Sequence, residues 1–447
     1  MKRVLILAYD FPPYMSVGAI RPHSWAEQLQ KFGYHPVIVT RQWRAKEGSA
    51  TAYVSYGFSD EVVVEENATH TIVQAPFKPH LGNRILLKYG TARFALVRKA
   101  LSFFYEIMQW FTEWGAKASL LHAAREYLKR EPVDIIIATG DPYVLFRYAS
   151  ILSSEFKKPW VADYRDPWVH VKRTWRNRLY IELYAFLERN VLQSASAITA
   201  VDALTIQLLK SDYYNKRIHL IRNGYAFDRA DNHPEEPRSN AKFKLVLMGT
   251  ITPWEPLDSV LSVLDDFLSQ RPDAAIELDF IGISDELSIR EKIRKTYLKL
   301  ASAVRFFPKV GPHEVQAYLL TNDAAILFNH YHIMGTKIYD YLGLELPILL
   351  FYTNDQQANA LRMAHYPYDY LPIESLGPQA ETISALNAGY VFENQDSFRS
   401  ALPQLYDEFV RHGQIKIAKG YGHRFSREEQ TKLLAQLFDE LLASGNI

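Results

Sequence analysis

Along the chain, short unbroken apolar runs alternate with stretches whose apolar residues recur every three or four positions. RVLILAY (3–9) is too continuous for a strand with one wet face and suits a strand covered on both faces of a parallel sheet. A helix over about 22–32, stopped by Gly33, leads to HPVIVT (35–40). Strand-like runs between 61 and 74, then VDIIIATG (133–140), PWVADYRD (159–166), SAITAV (196–201) and IHLIRNGYA (218–226), continue the alternation. DRADNHPEEPRSNAK (228–242) is polar, carries two prolines and reads as a linker. The pattern restarts with KLVLMGT (244–250), a helix near 257–268, AAIELDFIG (274–282), SAVRFFPKVG (302–311), DAAILFN (323–329) and PILLFY (347–352). This rhythm predicts an α/β chain of two Rossmann-like, doubly wound domains, 1–227 and 243–423, facing each other across a cleft. The closing stretch 426–445 predicts a helix capped by Ser426, with Leu433, Leu434, Leu437, Phe438, Leu441 and Leu442 as its apolar stripe.

Composition narrows the function. A net charge of +1 over 447 residues argues against a nucleic-acid binder relying on bulk positive charge. The absence of cysteine excludes disulfides, thiolate catalysis and zinc–sulfur sites. The opening VLILAY is too short for a signal peptide, and no apolar run approaches the ~18 residues needed to span a bilayer. A cytoplasmic location is the expectation. Residues 85–115 mix Lys88, Arg93, Arg98 and Lys99 with Phe94, Leu96, Phe103, Phe104, Trp110 and Phe111. Such a segment suits either peripheral contact with an anionic membrane surface or a pair of packed amphipathic helices.

Chemistry concentrates at strand ends. In FPPYMSVGAIRPHSWAEQL (11–29), Gly18 precedes a helix carrying Arg21 and His23 near its start. Glycine admits close backbone approach and a helix N-terminus favours anions, although a glycine that merely turns the chain is the plainer reading. The loop lacks GxGxxG, which argues against nicotinamide or flavin. In HYHIMGTKIYDYLGLELPILL (330–350), Gly335 and Thr336 open a predicted helix with Thr336 as cap. Lys337 and Asp340 share one of its faces. A diphosphate on the helix amides and Lys337, with ribose hydroxyls on Asp340, suits this arrangement, and so does a simple surface ion pair. ADYRDPW (162–168) sets Asp163, Arg165 and Asp166 at a strand tip, and ATGDPY (138–143) does the same for Asp141. These charges suit catalysis or substrate hydroxyls, with salt bridging as the competing account. Neither a P-loop, a GxSxG elbow nor a His/carboxylate metal motif occurs.

Together LAYDFPPYMSVGAIRPHSWAEQL, ADYRDPW, LIRNGY and GTKIYDYLGLELPIL resemble the retaining glycosyltransferases of family 4, which have the GT-B fold. The resemblance implies Gly18, and the loop carrying Gly249 and Thr250, beside the donor diphosphate. It implies Gly335, Thr336, Lys337 and Asp340 on nucleotide phosphates and ribose, and a C-terminal helix (424–447) completing the N-terminal domain. Where the family often carries two glutamates eight positions apart, this chain has His332 and Asp340; a usual basic pair is missing from ITPWEP, and DYRD replaces a histidine. The expected activity is metal-independent hexosyl transfer, with retention, from a nucleotide-diphosphate sugar to a glycan or lipid-linked acceptor in bacterial cell-surface polysaccharide synthesis. The nucleotide sugar is a co-substrate and no separate cofactor is expected. Asp166, Asp163 and Arg165 are the catalytic candidates, with Asp141, Arg21 and His23 on the acceptor side. A nucleotide-sugar epimerase, or an inactive partner of another transferase, are the alternatives.

Overall fold

The computed structural model describes residues 1–14, 16–44, 50–169, 178–213, 215–225, 242–366 and 377–445. The linker expected at 228–242 lies outside them, except for Lys242. The chain divides into two compact units, Met1–Arg222 with Gln430–Ile447, and Asn223–Glu429.

In the first unit the strands are β1 (Lys2–Leu7), β2 (Tyr34–Arg41), β3 (Val63–Glu66), β4 (Thr71–Ala75), β5 (Ile135–Gly140), β6 (Trp160–Tyr164), β7 (Ala197–Ala200) and β8 (Ile218–Leu220). They lie in the order β3-β4-β2-β1-β5-β6-β7-β8, all parallel except β3 against β4. Alternation along the strands splits the apolar residues between two cores. Leu5, Leu7, Val37 and Val39 enter one core, and Val4, Ile6 and Ile38 the other. The second core is closed by the Arg427–Ala443 helix, through the buried Leu434, Leu437, Phe438 and Leu441. Leu442 is partly buried there, whereas Leu433 stands exposed. Ser426 caps this helix by accepting from the Glu429 amide at 3.1 Å.

The first helix corrects the sequence expectation, because it runs Val17–Gln28 and encloses Pro22 instead of starting there. The cap decides the boundary: Ser16 Oγ accepts from the Ala19 amide at 3.1 Å. Proline's fixed φ suits a helix, and its missing N–H forfeits one bond there, to the Gly18 carbonyl. A short 3₁₀ turn, Leu29–Phe32, then ends on Gly33 at φ 84°.

The second unit holds β9 (Phe243–Met248), β10 (Ile276–Ile281), β11 (Val304–Phe307), β12 (Ala324–Phe328), β13 (Ile348–Phe351) and β14 (Gly389–Phe392). They form a parallel sheet in the order β11-β10-β9-β12-β13-β14. Strand β14 escaped the sequence reading because GYVF is a four-residue run, mostly only half buried. In each unit the strand order reverses beside the first strand, between β1 and β5 and between β9 and β12. Ligands of doubly wound sheets sit outside the strand C-termini at such reversals.

Candidate active site

At the first reversal, the residues following β1, β5 and β6 converge. Asp10 Oδ2 accepts from Ser16 Oγ at 2.7 Å, so the helix cap also holds the carboxylate. Asp10 Oδ1 is buried with no hydrogen-bond partner among the described residues. Gly18 is the second residue of the helix, and a Cβ there would fall 2.0 Å from Arg165 Nη1 and 2.9 Å from Asp10 Oδ2. Only a glycine lets helix, guanidinium and carboxylate come this close. Arg165 is itself fixed, donating from Nε to the Gly140 carbonyl at 2.5 Å and from Nη2 to the Asp141 carbonyl at 2.6 Å. The Tyr143 hydroxyl anchors the neighbouring turn by donating to the Asp166 carbonyl at 2.6 Å.

The Arg165 charge acts on the carboxyls of Asp10 and Asp166, while its contact with Asp141 is to the main-chain carbonyl. Loss of hydration pushes the Asp10 carboxyl upward; Ser16 and Arg165 oppose the shift and Asp141 reinforces it. Dehydration likewise raises Asp166, with Arg165 opposing and Asp141 adding to the rise, although the residue keeps a solvent-exposed face. A carboxyl held above its ordinary range keeps its proton to higher pH than a solvated one does.

Asp163 and Arg21 belong elsewhere. Asp163 lies inside β6, not at its tip, and is wholly buried. Its oxygens accept from Arg21 Nη2 at 2.7 Å, Thr139 Oγ1 at 2.8 Å and Thr199 Oγ1 at 2.6 Å. Arg21 further donates to the Arg222 carbonyl at 2.9 Å. This is a buried, saturated ion pair that ties the first helix to β5, β6 and β7; it leaves neither group free to receive a substrate. His23 follows Gly18 by five residues, roughly 140° around the helix. Its Nε2 is 3.5 Å from Glu27 Oε1 and its ring meets Phe11 edge-on.

At the second reversal, Gly249 (φ 75°) and Thr250 follow β9, and Gly335 (φ 70°) precedes the Lys337–Leu344 helix. Lys337 Nζ donates to the Thr250 carbonyl at 2.9 Å, and a Cβ on Gly249 would lie 2.9 Å from Lys337 Cε. Gly249, Thr250 and Lys337 therefore come together, while Gly335, two residues before Lys337, faces His330 and Gln379. Thr336 occupies the cap position, but its side chain makes no capping bond. Burial lowers the Lys337 ammonium, with Glu255 opposing, and burial raises Asp340 to about 7, with Arg427 opposing.

Several polar groups at these ends escaped the sequence reading. His330 Nε2 pairs with the buried Glu255 Oε1 at 3.2 Å, while His330 Nδ1 and Trp254 Nε1 have no hydrogen-bond partner among the described residues. Asp10, Trp254, Glu255 and His330 each fall within the first several residues after a buried strand, and position after such a strand was the available signal.

Residues 85–115 fall within two helices, Leu81–Tyr89 and Ala95–Phe111, and the turns flanking them. Leu96, Phe94, Phe103, Phe104 and Phe111 are exposed, as are Lys88, Arg93 and Lys99. Trp110 is buried, stacked on Trp168. Among the described residues no helix is long and apolar enough to cross a membrane.

Comparison with known proteins places these features. Residues 18–224 match the family model described as a glycosyl transferase 4-like domain. No curated protein sequence matches significantly. Sucrose-phosphate synthase from Thermosynechococcus elongatus superposes with a TM-score of 0.58 at 12% identity, covering 100% of both chains. The lipopolysaccharide outer core galactosyltransferase WaaB gives 0.51 at 12%, covering 98% of this chain and 100% of that one. A trehalose-6-phosphate structure from E. coli, bound with UDP-2-fluoro glucose, gives 0.52 at 10%, covering 99% and 98%. The chain has the GT-B fold, and its residues 18–224 are similar to a glycosyl transferase 4-like domain.

Proposed function

We propose that the protein transfers a hexosyl group from a nucleotide-diphosphate sugar to a hydroxyl of a glycan or lipid-linked glycan, with retention and without a metal, in cell-surface polysaccharide synthesis. The observation that carries this reading is the meeting of Gly18, Arg165 and Asp10 at the strand reversal of the unit that is similar to a glycosyl transferase 4-like domain. In the transfer, the bond from the anomeric carbon to the diphosphate oxygen breaks and its electron pair leaves with the diphosphate. The acceptor oxygen bonds the same carbon on the same face, and its proton passes to the departing diphosphate or to a carboxylate of the Asp10, Asp141 and Asp166 group. Lys337 and the amides opening its helix stabilise the diphosphate charge, and Asp340 takes ribose hydroxyls. Arg165 offsets charge in the first unit.

The exposed apolar and basic residues of 85–115 support peripheral contact with an anionic membrane, the cytoplasmic face being the one that nucleotide sugars reach. Flotation with phosphatidylglycerol vesicles, and none with phosphatidylcholine alone, is the expected result.

The decisive experiment incubates the protein with a panel of nucleotide sugars, beginning with UDP-glucose because one structural neighbour is bound with UDP-2-fluoro glucose. Nucleotide release that accelerates with a glycan acceptor is expected. The carboxylate group also suits epimerisation, and isomerised donor without acceptor would establish that reading instead. Absence of both turnover and nucleotide binding would leave an inactive partner.

A further inference from the structure

Beside the cluster in the first unit lies a cavity of about 270 Å³ that no residue discussed so far fills. Its walls are aromatic: Tyr9, Tyr53, Phe77 and Tyr105 line it. Tyr9 sits 5.4 Å from Tyr53 and 6.3 Å from Phe77, centroid to centroid, and Tyr105 stacks on His80 at 4.6 Å. Ser102, Tyr105, Glu106 and Gln109 reach it at three- and four-residue spacing along the Ala95–Phe111 helix.

The polar content is specific. Gln109 is 6% exposed and its Nε2 has no hydrogen-bond partner among the described residues, although it lines the cavity. A buried amide donor left unsatisfied is costly, so an occupant with an acceptor oxygen would relieve it. The only ion pair that the cavity's lining shows among the described residues, Lys117 Nζ to Glu106 Oε2 at 3.3 Å, is balanced in sign. Burial alone would lower the Lys117 ammonium, but Glu106, Tyr9 and Asp141 outweigh it and the net shift is upward. The cavity therefore offers no surplus charge to an anion. It offers ring faces, the unpartnered Gln109 amide, and a carboxylate and an ammonium fit for hydroxyls. Aromatic faces cover the C–H side of a sugar ring while polar groups take its edge. Tyr9 adjoins Asp10 in the chain, and the Asp141 charge is felt at Lys117, so the cavity borders the carboxylate cluster.

We propose that this cavity binds the neutral pyranose ring of the sugar acceptor, with Gln109 donating to a ring hydroxyl or the ring oxygen and Tyr9, Tyr53 and Tyr105 supplying the apolar walls. The proposal rests on the transferase reading for calling the ring an acceptor, but not for the binding itself.

The test is saturation-transfer NMR on the full chain with methyl glucopyranoside, methyl galactopyranoside and N-acetylglucosamine, with glucose 6-phosphate as the anionic probe. At least one neutral ring should take up saturation, and the phosphate should bind no better than its neutral parent. Gln109→Leu should weaken that binding on the order of tenfold, as one lost hydrogen bond allows. Ser102→Met, which fills the cavity without touching the amide, should abolish it, with thermal melting confirming that both variants fold. Calorimetry with UDP on the same samples should be unchanged. Silence toward every neutral ring, indifference to both variants, or preference for the phosphate would each overturn the proposal. Lost UDP binding in the parent protein would instead count against the transferase reading.

Discussion

At Gly18 a missing side chain is the functional feature. Gly18→Ala would thrust a methyl into the Arg165 guanidinium, whose flexible end can retreat. Stability should therefore change by less than about 1 kcal/mol, alanine being also the better helix former. Turnover should fall at least tenfold as Arg165 leaves the carboxylates, and melting temperature set against initial rate separates the two effects. Asp163→Ala should behave in the opposite way. It strands Arg21 in the interior, and breaking a buried pair costs about 3–5 kcal/mol, which urea unfolding would read directly. The contrast shows where single-residue reading succeeds. ADYRDPW marked a charged strand end, but Asp163 and Arg165 are two positions apart and their destinations differ completely. Asp163 lies within the strand beside Thr139 and Thr199 of its neighbours, a cross-strand pairing no linear sequence displays. Arg165 lies past the strand's end, where it meets Gly18. The cavity was invisible for the same reason, because its walls come from Tyr9, Phe77 and the 81–117 region, far apart in the chain.

At the scale of the element, the Lys337–Leu344 helix shows both the reach and the limit of pattern. Its place, its lysine and its companion glycines were legible as a local motif, whereas the direction Lys337 takes depends on the Thr250 carbonyl of a distant loop. Lys337→Ala should weaken nucleoside diphosphate binding by roughly 1.5–3 kcal/mol, the worth of a charge-assisted bond, and leave the free nucleoside unaffected. Because burial lowers this ammonium, diphosphate affinity should decline with rising pH sooner than for an ordinary lysine. Asp340 gives a stability signature of opposite origin. Its carboxyl is raised to about 7 in the fold, so between the unfolded value and 7 the native state binds more protons. Its contribution is fullest at acid pH and is lost as pH climbs through 7. Asp340→Asn should consequently stabilise the protein at pH 8, by about 1–3 kcal/mol, and give no gain near pH 4. It should also weaken nucleotide binding, since the ribose exchanges a charged two-oxygen acceptor for a single neutral amide oxygen. A gain that does not vary with pH would mean the carboxyl titrates normally, and calorimetric melts at the two pH values decide.

For the whole molecule, the sequence rhythm was enough to anticipate two doubly wound sheets, because strands buried on both faces are nearly pure apolar runs. Which helix closes which core is a longer-range matter. The Arg427–Ala443 helix belongs, from Gln430 onward, to the unit whose sheet begins at Lys2. Its Phe438 packs edge-on against Tyr34 at 5.4 Å, and the Tyr34 hydroxyl donates to Asp439 at 2.8 Å. Phe438→Ala should therefore cost about 3–5 kcal/mol, the usual range for a fully buried phenylalanine. Removing residues 430–447 uncovers Val4, Ile6, Ile135 and Ile137 at once, and unit one should lose its cooperative fold. Hydrogen exchange resolves the claim by location: amides of β1 and β5 should lose protection while those of β9, β12 and β13 keep theirs. Sugar transfer should vanish, because the Asp10 and Arg165 tips stand on those same strands, whereas nucleotide binding by the second unit should survive. Equal loss of protection in both sheets would show that the units unfold as one, and a soluble, active truncation would show that the core closes without this helix.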